Sequence, residues 1–230
     1  MKHHKWGRTL QAAFPLTLPV LTGYLVLGLA YGVLLQTKGY GPLWSTLMSA
    51  IAFCGSMQYA AVTLLTTVFD PVQAFFLSLM VNARHLFYGV SMLKKYAGLG
   101  LMRPFLIYWL TDETFSVLCT VDVPKDTDPG PFYFCVSALN YCYWVLGTLL
   151  GGVAGSLVTF NTTGMDFALT ALFVVLLIEQ LKGKQQCLSG VIGLVCSVVA
   201  LAIFGADHMV IPAMVLVLAC LMLERRKLCS

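Results

Sequence analysis

Charge is what this sequence has least of. Asp, Glu, Lys and Arg make up 10% of its 230 residues, against roughly 25% in an average soluble domain. Hydrophobic residues reach 59% and the mean hydropathy is +0.84. So few charges cannot cover the surface of a soluble protein of this size, which excludes a soluble enzyme, a disordered linker and a nucleic-acid-binding module. The net charge of +4 sits largely at the two ends, in Lys2, Lys5 and Arg8 and in Arg225, Arg226 and Lys227. In a membrane protein such clusters mark cytoplasmic faces, so both termini are expected there.

Paired cysteine chemistry is missing too. The eight cysteines include no C-x-x-C pair and no His at zinc-ligand spacing. They read as small, polarizable packing residues in apolar helices, with no metal site and no cofactor. A disulfide framework belongs to small secreted domains, which this is not. Long loops are also absent: the longest plausible one is 122–131, so no separate soluble domain is expected and residues 1–230 read as one transmembrane domain.

What the chain has instead is apolar length. Residues 9–37, 39–69, 129–165 and 185–206 carry no charged side chain. About 20 apolar residues suffice to cross a bilayer core. Eight apolar segments follow: 14–35, 43–67, 71–93, 104–121, 132–158, 166–181, 186–205 and 209–223. All are expected to be helical, because lipid offers backbone groups no outside partner. The fold class is therefore an all-α polytopic membrane protein with six to eight crossings. Pro15 and Pro19 are expected to kink the first segment, which is too long for a signal-peptide core and reads as a retained helix.

Eight full crossings conflict with the charge bias. They would place the basic loop around Lys94, Lys95 and Arg103 outside and the acidic 122–131 loop inside. The conflict disappears if one of the first three segments folds back, and likewise one of segments 5 and 6. Each half, 9–121 and 132–227, would then cross three times, and the halves would have opposite orientation, as in many secondary transporters. Tyr24-x3-Gly28-x3-Gly32 echoes Tyr143-x3-Gly147-x3-Gly151. The alternative is that small-x3-small spacing simply lets helices approach closely.

Polar residues inside such segments cost about 2.5–3.5 kcal/mol each when charged, so each should face a partner or a cavity. Gly55, Ser56 and Gln58 fall near the middle of segment 2, either as a broken helix whose exposed amides suit a carboxylate or as a packing notch. Segment 3 carries Asn82, Arg84, His85 and Tyr88. Arg84 reads as a carboxylate clamp, the partner of a buried acid or half of a structural ion pair. His85 reads as a proton relay or as a satisfied hydrogen-bonder. Asp112 and Glu113 have eight uncharged residues on either side. They are candidates for binding Arg84 or a substrate ammonium and for coupling protons, unless the pair marks an interface where the segment starts late. Asn140, Tyr141, Tyr143 and Trp144 open segment 5, either as an interfacial aromatic belt or as a pocket lining. Asp166, Glu179, Asp207 and His208 read as boundary residues.

Five stretches in this order resemble the AzlC family of branched-chain amino acid permeases. They are Ala52-Phe53-Cys54-Gly55-Ser56-Met57-Gln58; Asn82-Ala83-Arg84-His85 with Tyr88; Leu110-Thr111-Asp112-Glu113-x-Phe115; Asn140 with Trp144-x2-Gly147-x3-Gly151; and Gly164-Met165-Asp166-Phe167-Ala168-x2-Ala171-x-Phe173. The resemblance implies an inner-membrane exporter of hydrophobic amino acids such as valine, leucine or isoleucine. It also implies a small AzlD-type membrane subunit as partner. On the chemistry of the residues, Gly55, Ser56, Gln58, Asn82, Arg84, Tyr88, Asp112, Asn140 and Trp144 are the expected substrate-binding set. Phe53, Tyr59 and Phe87 join Trp144 as apolar lining, and His85, Asp112 and Glu113 are the proton-coupling candidates. The alternatives are a channel-like or assembly subunit, and an intramembrane hydrolase with Ser56 as nucleophile and His85 or His208 as base.

Overall fold

The structure, a computed structural model, describes residues 3–124, 127–157 and 184–209, with scattered positions between 174 and 222. Every regular element among the described residues is helical. The chain forms two compact units, Met1–Thr162 and Thr163–Ser230.

In the first unit, α1 (His3–Thr37) runs through Pro15 and Pro19 as one continuous helix. Segment 2 is not one helix but two, α2 (Pro42–Ala52) and α3 (Gly55–Thr66). The chain turns at Phe53, the one non-glycine residue with positive φ, +27°, among the described residues. Next comes α4 (Pro71–Met92). Segment 4 is also interrupted, into α5 (Arg103–Tyr108) and α6 (Asp112–Thr120), and α7 (Pro129–Leu157) closes the unit.

The contacts give the directions. Along α1 and α7, Trp6 meets Phe134, Tyr24 meets Trp144, and Gly28 meets Gly147. Gly32 then meets Gly151 and Gly155 meets Gln36, so the two helices run parallel. A Cβ on Gly32 or Gly151 would be driven into the backbone of the opposite helix, so these positions must be glycine for the axes to come this close. The echoed motifs thus pack against each other. Halves of opposite orientation that matched α1 with α7 would set them antiparallel, so that form of the repeat is not what the first unit contains.

α2 and α3 form a hairpin. Pro42 and Ser45 lie at Gly152 and Ser49 at Thr148, so α2 descends along α7. α3 then climbs from Gln58, bonded to Trp144, to Leu65, whose carbonyl accepts from the Tyr40 hydroxyl beside the start of α2. Segment 2 therefore leaves by the end of the bundle at which it entered. α5 and α6 make a second hairpin from the opposite end. Phe105 packs on Phe134 and Trp109 on Tyr141; then Thr114 bonds Asn140, and Leu118 returns to the apolar core of Met92, Tyr96, Leu106, Phe132 and Val136. Segment 2 is thus the one of the first three that folds back, as the charge distribution asked. Segment 4 folds back as well, which corrects its expected crossing, and α1, α4 and α7 are the helices that pass from end to end in this unit. The start of α1, the 93–102 connection and residues 121–124 share one end.

The outside of this unit is apolar, with Val26, Leu86, Phe87 and Val90 each about 70% exposed, while Thr17, Ser49, Gln58, Thr111, Thr114, Ser137, Asn140 and Thr148 are buried. That is the reverse of a soluble protein's distribution. Trp6–Thr37 and Pro129–Leu157 are long and apolar enough to cross a membrane; α4, at 22 residues, spans ~33 Å.

In the second unit, α8 (Lys184–His208) is interrupted at Gly205, and the Cys196 thiol donates to Cys220 Sγ at 3.8 Å. Most of segment 6, with Asp166 and Glu179, parts of segment 8, and the side chain of His208 lie outside the described residues.

Candidate functional site

The tips of the two hairpins meet halfway along α1, α4 and α7. Each tip leaves backbone groups without helical partners, and each is repaired locally. Tyr108 and Tyr141 donate their hydroxyls to the carbonyl of Ala50, at 2.6 and 3.0 Å, and Tyr108 also reaches Ile51. These are the last carbonyls of α2, which no continuing turn can satisfy. Phe53 holds the bend by packing edge-on against Tyr141, centroids 5.0 Å apart. At the other tip, Thr111 caps α6 by accepting from the Thr114 amide, and Asp112 and Glu113 fill its first turn, where the helix dipole favours anions.

Arg84 on α4 joins the tips. Its guanidinium donates to Ser56 Oγ at 2.7 Å and pairs with Asp112 Oδ2 at 2.5 Å. Both side chains are 36% exposed, so the pair lines an opening. Among the described residues, the buried atoms Arg84 Nε and Asp112 Oδ1 make no hydrogen bond. An unused donor and an unused acceptor therefore lie on the two halves of one ion pair. Asn82 accepts from the Cys54 thiol at 2.8 Å, tying α4 to the first tip. Tyr88 stacks on Phe115 with centroids 4.4 Å apart and carries the His85 ring against its edge.

Behind this opening lies a buried polar layer. Gln58 accepts from Trp144 Nε1 and donates to Ser49 Oγ, both at 2.8 Å, and Ser49 pairs with Thr148. The chain pins the first hairpin to α7. The Trp144 ring lies where a Cβ on Gly55 would come within 2.9 Å of it, so Gly55 allows the tip to rest on the indole. Tyr24 donates to Glu113 Oε2 at 2.6 Å and lies 2.8 Å from Thr111 Oγ1.

Most of the expected residues therefore converge: Gly55, Ser56, Gln58, Asn82, Arg84, Tyr88, Asp112, Glu113, Asn140 and Trp144 all belong to this centre. His85 is at its edge, bonded to the Asn82 carbonyl of its own helix at 3.3 Å. The Ser56 hydroxyl is taken by Arg84, with no imidazole bonded to it among the described residues. Phe87 is 70% exposed and lies apart from the lining, and Tyr59 is buried with its hydroxyl on the Leu27 carbonyl. Sequence reasoning did not assign Tyr24, Thr114, Ser49 or Thr148 to the site. Thr111-Asp112-Glu113 was readable as a helix start, a cap followed by acids, and would have located the second break.

An apolar exterior, a polar centre at mid-depth and two interrupted hairpins define a polytopic helical membrane protein of the transporter class. Residues 19–158, more than half of the chain, match the AzlC protein family. Over 218 residues the chain is 45% identical to the branched-chain amino acid transport protein AzlC of Bacillus subtilis, covering 95% of this chain and 86% of that one. An uncharacterized membrane protein of Helicobacter pylori is 37% identical over 98% of this chain and 99% of its own, and one of Haemophilus influenzae 39% identical over 89% and 84%. No solved structure matches. The chain belongs to the AzlC family.

Proposed function

We propose that the protein exports hydrophobic α-amino acids, branched-chain ones foremost, across the cell inner membrane by ion-coupled transport. The observation that carries this reading is the ion pair with one donor and one acceptor unfilled. Arg84 Nε suits a carboxylate oxygen and Asp112 Oδ1 an ammonium, the two groups every free α-amino acid carries. The N-terminus of α3 at Gly55 and Ser56 adds dipolar attraction for the carboxylate. Asn82, Tyr88 and Asn140 complete the polar contacts, and Phe53 and Trp144 offer apolar surface to the side chain. Gln58 serves the site by holding Trp144. The relative from Bacillus named for branched-chain amino acid transport supports the substrate class. On family likeness, a small AzlD-type membrane subunit is the partner; on the placement of the basic residues, both termini are cytoplasmic.

Full-length protein, with and without such a subunit, reconstituted in vesicles and assayed for labelled leucine counterflow, tests this reading. Arg84→Ala and Asp112→Asn should each lower leucine flux at least ~10-fold, the loss expected when a charged recognition contact disappears. Retention of full counterflow by Arg84→Ala at equal reconstituted amounts would sink the assignment.

A further inference from the structure

Glu113 differs from its neighbour Asp112 in what faces it. Asp112 has the Arg84 guanidinium; Glu113 has a hydroxyl, that of Tyr24, and no ion-pair partner among the described residues. From that hydroxyl a row of groups leads inward. Tyr24 lies 2.8 Å from Thr111 Oγ1, Thr111 Oγ1 lies 3.1 Å from Thr114 Oγ1, and Asn140 Nδ2 is 3.1 Å from Thr114 Oγ1. Thr111, Thr114 and Asn140 are buried, the last two fully so, and Asn140 Oδ1 has no partner among the described residues.

Each hydroxyl in the row has one proton to give. With Glu113 ionised, Tyr24 donates to the carboxylate and Thr111 donates to Thr114, which also accepts from the Asn140 amide, so no proton lies between Tyr24 and Thr111. With Glu113 protonated, its own O–H donates to Tyr24, the Tyr24 hydroxyl turns to Thr111, and the links from Glu113 to Thr114 agree in direction.

We propose that Glu113 is the proton-binding site of the transport cycle, and that the Tyr24 hydroxyl, by turning between Glu113 and Thr111, transmits its protonation from α6 to α1. The inference rests on the transporter reading above. The charged and titratable groups facing Glu113 are Asp112 beside it, Tyr88 of α4, Cys54 at the first tip and Tyr24 of α1, with Arg84 bound to Asp112; α7 brings the neutral Asn140. Charge balance gives that proton a role. Arg84 and Asp112 neutralise each other and an α-amino acid is a zwitterion, so the loaded centre keeps the charge of Glu113. A proton taken from water on one side and returned on the other removes that charge while the centre is closed within the membrane, where a net charge is costly.

Full-length protein in vesicles loaded with a pH dye tests this. Leucine addition to wild type should evoke proton movement, and a pH gradient should drive leucine accumulation. Glu113→Gln should lower the leucine-evoked proton signal at least ~10-fold and flatten the pH profile of counterflow, since its side chain cannot titrate. Tyr24→Phe, a milder change that also serves if Glu113→Gln does not assemble, should lower the leucine-evoked proton signal, because the carboxyl group loses its hydroxyl partner. A wild-type proton signal in Tyr24→Phe, or a proton signal surviving in Glu113→Gln, overturns the proposal. Leucine accumulation driven by sodium without proton movement overturns it while leaving the transporter reading standing. Wild-type vesicles that move no leucine under any gradient overturn both.

Discussion

Gln58 is 1% exposed and both ends of its amide are engaged, one by Trp144 and one by Ser49. Gln58→Leu keeps the volume but leaves the indole N–H and the Ser49–Thr148 pair short of a partner in the interior. An unsatisfied buried group costs about 1–3 kcal/mol, so the variant should melt measurably earlier in detergent while its preference among leucine, isoleucine and valine stays as in wild type. A changed preference at unchanged melting temperature would make Gln58 a ligand contact instead. Arg84 and Gln58 stand out in the sequence for the same reason, as polar groups in apolar helices, and their roles still differ. Cost in lipid reveals that a partner exists. Whether the partner is protein or solute depends on which side chains the fold brings to it, and that the sequence did not display.

Among the helices, the two hairpins decide where the site lies. Tyr108 and Tyr141 come from α5 and α7 and cap the same carbonyl of α2. Removing one leaves the other in place, whereas removing both strands the end of α2. Tyr108→Phe and Tyr141→Phe should each destabilise by about 1 kcal/mol or less and the double variant by more than their sum, read as thermal unfolding in detergent; strict additivity would show that the two hydroxyls act independently. The broken helix in segment 2 was legible from Gly55-Ser56, but the bend lies two residues earlier, at Phe53. A phenylalanine at positive φ has no local signature, because the packing of Tyr141 holds it there. The second break was legible only as the helix start at Thr111.

Taken as a whole, the first unit puts Arg8, Lys94, Lys95 and Arg103 at one end, which is where the distribution of basic residues asked for them. The charges required one of the first three segments to fold back, and segment 2 does; the folding back of segment 4 has no such signal, because Trp109-Leu110 breaks a helix without glycine or proline. With native cysteines replaced, Ala97→Cys should react with a membrane-impermeant maleimide from the side that carries the N-terminus, and Thr67→Cys from the opposite side. Labelling of Ala97→Cys from the side opposite the N-terminus would mean that segment 2 crosses fully.

One consequence of the two hairpins concerns failure. They enter from opposite ends, so a solute seated between their tips is separated from each compartment by a different piece of chain. A substitution that loosens α2–α3 unseals one side alone, and one that loosens α5–α6 unseals the other. A single lesion of this kind yields a transporter stuck facing one way; only two lesions together would yield an open hole.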